Sequence, residues 1–251
     1  MATPVNREFR VSLYGDHRMA VRPGLWMGAG EDTNGGSNVH GGVELAIRPS
    51  SALTFSIEPG YQHLVEDAQY VDTLEDPASV TYGHRYVFGH LDYQEVQLGL
   101  RLDWAFTPKL TLQAFAQPLI ASGAYSGLKE FTDPGDYGFL VYGRDGSSRL
   151  DYDAGEEQFV VDPGDGGEVF RVDDPDFNFK SLRLNMVLRW EYSPGSTFYL
   201  VWTRDKTNFD DPGRMDLSRN HMPRVPTVMV RHLELDYERE MSYTEEVTVR
   251  T

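Results

Sequence analysis

The stretch Glu95–Phe106 reads E-V-Q-L-G-L-R-L-D-W-A-F and decides the fold. Successive side chains of an extended strand point to opposite faces. Val96, Leu98, Leu100, Leu102, Trp104 and Phe106 therefore share one face, and Glu95, Gln97, Gly99, Arg101 and Asp103 share the other. The apolar face ends in two aromatics, just before Thr107-Pro108-Lys109 turns the chain. Such a strand offers one face to hydrocarbon and one to water, and about ten residues of tilted strand cross a bilayer.

The same pattern recurs on both sides. Val43, Leu45 and Ile47 alternate with Glu44 and Ala46, Arg48-Pro49-Ser50-Ser51 turns, and Leu53, Phe55 and Ile57 return as a hairpin. Leu110-Thr111-Leu112-Gln113-Ala114-Phe115 leaves the Pro108 turn. Leu182, Leu184, Met186, Leu188, Trp190 and Tyr192 alternate with Arg183, Asn185, Arg189 and Glu191, and after Ser193-Pro194-Gly195-Ser196 the chain goes out again through Phe198, Leu200 and Trp202. Shorter segments lie at Phe9–Leu13 and Val21–Met27, and a weaker last one at Val225–Tyr237. Glu31–Asn38 reads as loop, Glu66–Arg85 and Thr207–Arg224 as polar excursions, and Ser126–Asp176 as one long acidic external loop. The pattern predicts eight or nine antiparallel strands in a single domain, 1–251. Tight turns near Pro49, Pro108 and Pro194 alternate with long acidic connections, which is how an outer-membrane barrel sorts its two ends.

Composition narrows the function classes. No run of about eighteen apolar residues occurs, so membrane-spanning helices are not expected, whereas a barrel needs only every second residue to be apolar. A net charge of −16 argues against nucleic acid and against docking on anionic lipid through a basic patch. With no cysteine there is no disulfide, thiol nucleophile or Cys-ligated zinc. The opening MATPVNREFR has no signal-peptide core, and the recurrent alternation favours reading the chain as part of a longer exported protein.

Three blocks carry a family resemblance. They are Arg85-Tyr86-Val87-Phe88 with Arg101–Leu110, Gln117–Ser126, and Asp176–Leu182 running into Val187–Thr197, with R-W-E-Y-S-P-G-S-T as the most specific part. Together they resemble the C-terminal barrel region of the bacterial family called domain of unknown function 5916. In that family a barrel similar to those of TonB-dependent receptors follows a domain like carbohydrate-binding module family 9. The resemblance spans roughly 39–204. It implies an all-β, antiparallel transmembrane barrel, the C-terminal part of a larger one, located in the cell outer membrane. It also implies partners in the form of outer-membrane lipid, upstream barrel strands or a carbohydrate-binding domain, and a link to glycan handling. It supplies no catalytic residue.

On this reading Glu95, Arg101, Asp103, Arg183, Arg189 and Glu191 face the lumen, where they line the pore or pair across strands for about 0.2–1 kcal/mol each. Trp104, Phe106, Trp190 and Tyr192 form an interfacial girdle beside the tight turns. The acidic runs Val161–Glu168 and Asp173–Asp176 are candidate calcium ligands without EF-hand spacing. The seven histidines make no HxH or HExxH pattern, no G-x-S-x-G elbow is present, and neither a cofactor nor an enzyme is expected. The expected role is transport, a pore or surface anchoring. Alternation alone leaves a second arrangement open, a soluble β-barrel or sandwich that binds a ligand or polysaccharide. That protein would bury Leu98, Leu100, Leu184 and Leu188 and leave Arg101, Asp103 and Arg189 in water.

Overall fold

A computed structural model describes residues 5–77, 79–135, 137–210 and 232–237. The described chain is all-β and antiparallel. Nine strands follow one another as a meander: β1 (Asn6–Tyr14), β2 (Val21–Asp32), β3 (Ser37–Ser50), β4 (Leu53–Glu75), β5 (His84–Thr107), β6 (Leu110–Phe131), β11 (Phe177–Ser193), β12 (Ser196–Asp210) and β13 (His232–Tyr237). Between β6 and β11 the chain inserts β7 (Phe139–Val141), which pairs with β6. A separate small sheet follows, formed by β8 (Arg149–Asp153), β9 (Gln158–Asp162) and β10 (Phe170–Asp173). Among the described residues β1 and β13 do not pair with each other, so the large sheet is open rather than closed into a barrel.

Register shows what each face carries, because partners in an antiparallel ladder project to the same side. Leu102 lies in one cross-strand row with Val21, Ile47, Phe55, Ala114, Met186 and Trp202. The next row, on the other face, holds Arg22, Ala46, Ser56, Arg101, Phe115, Asn185 and Thr203. The two-faced pattern of Glu95–Phe106 thus extends across seven strands. No described element packs across the apolar face. Phe9, Leu13, Met27, Val43, Trp104 and Trp190 all lie on it and remain 40–68% exposed. Leu98, Leu100, Leu184 and Leu188, which a soluble sandwich would bury, are half-buried.

The dry core lies elsewhere. Val87, Leu128, Tyr142, Val161 and Val172 cluster with Val71, Leu74, Leu150, Phe159 and Phe170 at the end of the sheet remote from the tight turns. There Arg85, Val87, Gly89 and Leu91 are buried while Tyr86, Phe88 and His90 between them are not. These buried positions have the parity of Glu95 and Gln97, so the insertion caps the polar face at one end and leaves the apolar face bare.

The structure corrects the expected loops here. Much of Glu66–Arg85 is strand, because β4 runs to Glu75 and β5 begins at His84. Within Ser126–Asp176, β6 continues to Phe131 and four short strands follow. Register shifts between Glu66 and Gln69 and between Tyr70 and Asp72 put extra residues into β4, and one between His90 and Phe88 does the same to β6. Each bulge swaps the side chains to the other face and hides the period.

One guanidinium ties the cap to the sheet. Arg85, 1% exposed, donates from Nε to Asp76 Oδ2 (2.7 Å), from Nη1 to Glu130 Oε1 (2.6 Å) and from Nη2 to Asp165 Oδ2 (2.7 Å). Its plane also lies 5.9 Å from the Phe170 ring centre. A charge so buried persists only when paired on every side. Arg85→Met leaves three carboxylates without their cation and should destabilise the cap by about 3–5 kcal/mol. Amide exchange at Val161 and Val172 will report this as lost protection. Partial burial raises the Asp165 carboxyl, but the hydrogen bonds from Arg85 and the Gly167 N–H bring it below its usual value. A carboxyl held low in the folded state contributes stability above its unfolded pKa and loses it as pH falls through the folded value. The advantage of the wild type over Asp165→Asn in cap protection should therefore be full at pH 7 and fade below about pH 4.

Candidate functional site

The polar face below the cap is built by two adjacent cross-strand rows. One runs Ser12, Trp26, Gly42, Gly60, Gln97, and the other Arg10, Gly28, His40, Gln62, Glu95. Glycine faces each ring across the strand. A Cβ on Gly42 would lie 2.7 Å from Trp26 Cζ2, one on Gly60 3.6 Å from the same atom, and one on Gly28 2.5 Å from His40 Nε2. The indole and imidazole therefore lie down over bare backbone, Trp26 across β3 toward β4 and His40 back across β2. Their centres are 5.9 Å apart, with planes inclined by 38°.

Side-chain amides order the neighbourhood. Gln62 Nε2 donates to Asn38 Oδ1 (3.5 Å), and Asn38 Nδ2 donates to His40 Nδ1 (3.2 Å). His40 Nδ1 is thereby the accepting nitrogen, which leaves Nε2 as the N–H of the neutral ring. The Tyr93 hydroxyl donates to Glu95 Oε2 (2.5 Å). These groups border a hollow of about 220 Å³ lined by Trp26, Asn38, His40, Gln62, Glu95 and Gln97, with Tyr61 at its edge. All six are half-buried. The hollow offers an aromatic surface, amide donors and acceptors, a carboxylate and an imidazole, with no lysine or arginine in its lining.

The residues expected to face a lumen all fall on this face. Glu95 borders the hollow. Arg101 lies farther toward the turns, its guanidinium 5.8 Å from the Phe115 ring centre, and Asp103 accepts from Gln113 Nε2 at 3.2 Å. Arg183 approaches Asp205 at 3.7 Å and Arg189 approaches Glu191 at 3.8 Å. Arg22 and Glu44 form a further cross-strand pair. The expected girdle falls on the opposite face at the turn end. Trp104 and Phe106 have ring centres 4.2 Å apart, Trp190 and Tyr192 6.0 Å apart, and all four are 40–49% exposed.

The acidic runs considered for calcium are engaged with protein donors. Asp165 holds Arg85, Asp162 accepts from the Gly164 N–H (3.0 Å), and Asp176 accepts from the Tyr125 N–H (2.5 Å). Among the described residues no group of three or more histidine, aspartate or glutamate side chains is placed to hold a metal ion. Trp26, His40, Gln62 and Gln97 were not distinguished by the sequence reading, and Arg85 entered it only inside a longer motif. Gly28, Gly42 and Gly60 come opposite the two rings only through the register, so the sequence alone carries no signal for them.

No protein-family model, curated protein or solved structure matches the chain.

The ring placement makes a direct prediction. In Gly42→Ala the new methyl meets both the Pro59 carbonyl oxygen and the indole at 2.7 Å, so the ring must lift. Tryptophan emission should shift relative to the wild type, with a stability loss of about 1–3 kcal/mol from overpacking. Gly99→Ala, whose Cβ would stand 3.3 Å from Glu58 Cβ, should leave the emission unchanged.

Proposed function

We propose that this chain is an outer-membrane β-barrel component with a transport, pore or surface-anchoring role linked to glycan handling and no chemistry of its own. The observation that carries the reading is the uncovered apolar face, continuous across the meander. Soluble monomers rarely expose apolar patches beyond a few hundred Å². A bilayer supplies the apolar solvent that no described element of the chain provides.

Dimensions agree. Along β5 the apolar face runs from Val96 to Phe106, a rise of about 33 Å at roughly 3.3 Å per residue. At a strand tilt near 40° that is about 25 Å, the height of an outer-membrane apolar band. Trp104, Phe106, Trp190 and Tyr192 then occupy one interface. Beyond Val96 the same face turns polar on β4, β5, β6 and β11, at His63, Gln94, Ser122 and Asn178, where these strands leave the band for the cap, while on β1 to β3 it stays apolar through Phe9, Ala29 and Val39. The charged rows of the other face would border water inside.

The reading also imposes a requirement. An unpaired strand edge in lipid leaves N–H and C=O groups unsatisfied at several kcal/mol each, so the outer edges of β1 and β13 must be paired in the bilayer. Pairing with each other or with further strands of a larger barrel, as the family resemblance suggests, meets it.

Fractionation after export, followed by unheated gel electrophoresis, tests the proposal. The expected result is a protein that needs detergent and migrates differently before and after boiling. A monodisperse monomer in plain buffer would overturn it in favour of a soluble ligand-binding β-protein. Leu100→Arg, near the middle of the band, should cost about 2–4 kcal/mol of insertion, whereas a lumen-facing change such as Arg101→Gln should be close to neutral.

A further inference from the structure

We infer that the polar face carries a saccharide subsite formed by Trp26, His40, Gln62, Glu95 and Gln97, selective for neutral sugar rings over uronic acids. The inference rests on the lumen reading for its biological setting, and the geometry of the hollow supplies its chemistry.

A pyranose has one face of C–H bonds and a rim of hydroxyls, each both donor and acceptor. The hollow matches both features. Trp26 lies flat because Gly42 and Gly60 present no side chain beneath it, so its outer ring face is a platform for an apolar sugar face. Around that platform, His40 Nε2 and the Gln62 and Gln97 amides supply donors, while the amide oxygens and Glu95 supply acceptors. Tyr93 and Asn38 hold Glu95 and His40 in place through bonds of 2.5 and 3.2 Å. The arrangement is thus preformed, which lowers the ordering cost of binding.

Size and charge select within the class. A volume of about 220 Å³ is below the roughly 300–1,000 Å³ of drug-sized pockets and suits a single ring at a time. Glu95 belongs to the lining, and Glu44 and Glu58 stand on the same face one row beyond Gln97. The cations of this face stand outside the lining: Arg22 is taken up by Glu44, Arg10 pairs with Glu8, and Arg101, two rows from Gln97, lies over the Phe115 ring. A uronate or phosphate would meet like charge with no counter-cation in the lining, whereas a neutral ring pays no such penalty.

Calorimetric titration of the purified full chain in detergent, with cellohexaose, maltohexaose and hexagalacturonate as probes, tests the inference. At least one neutral hexasaccharide should bind, hexagalacturonate at least about tenfold more weakly, and Trp26→Ala should weaken the neutral sugar about tenfold, the size of one stacking contact. Should Trp26→Ala fail to fold, Gly28→Ala and Gln97→Ala decide. The first keeps Trp26 and displaces His40, the second trims a rim amide, and both should weaken binding while cap amide protection stays at the wild-type level. Binding of neither neutral sugar, affinity indifferent to these variants, or equal affinity for the uronate would overturn the subsite. A chain that inserts into membranes but binds no sugar removes this inference alone. One that is soluble without detergent yet binds through Trp26 keeps it and removes the membrane reading.

Discussion

A β-sheet satisfies its backbone sideways, through its neighbours, and leaves two faces that must each find a matching environment. In this chain the demand is unusually strict, because strands of up to 24 residues keep opposite characters on their two sides over the whole lower half of the sheet. The hydrogen-bonded ladder fixes which side chains travel together. Once Leu102 is in register with Phe55 and Met186, Arg101 is committed to the other side with Ser56 and Asn185. A slip of one residue would exchange the faces of an entire strand, so the contrast between them is also what specifies the pairing.

The cap solves the same problem differently. Where β6 bulges, its alternation changes sides and brings Leu128 onto the polar face beside Val87 of β5. These two residues receive a conventional dry cover from Tyr142, Val161 and Val172. The molecule therefore has a small, well-buried hydrophobic core and a large apolar surface without one. Two kinds of stabilisation operate in separate halves of the same strands.

Legibility in the sequence follows this division. Glu95–Phe106 and Leu182–Tyr192 can be read directly, because all positions but Ala105 and Val187 obey the period and tight turns close both. The face assignment of Arg101, Asp103, Arg183, Arg189 and Glu191 follows from it. The Trp26 platform was hidden by its own construction. In β2 the polar-face positions include Gly24, Gly28 and Gly30, so V-R-P-G-L-W-M-G-A-G reads as irregular rather than alternating. The Arg85 cluster was beyond reach for another reason. Its partners stand 9, 45 and 80 positions away in the chain, and nothing local ties Asp165 to Arg85.

That cluster has an electrostatic consequence. Three carboxylates gather about one guanidinium, so the knot at the base of the cap remains negative after its internal pairing is complete, within a chain already at −16. A fixed field of that sign at one end of the polar surface concentrates cations and turns anions away before any contact is made, and added salt weakens it. The latch that fastens the insertion therefore also sorts by charge what may approach from that side.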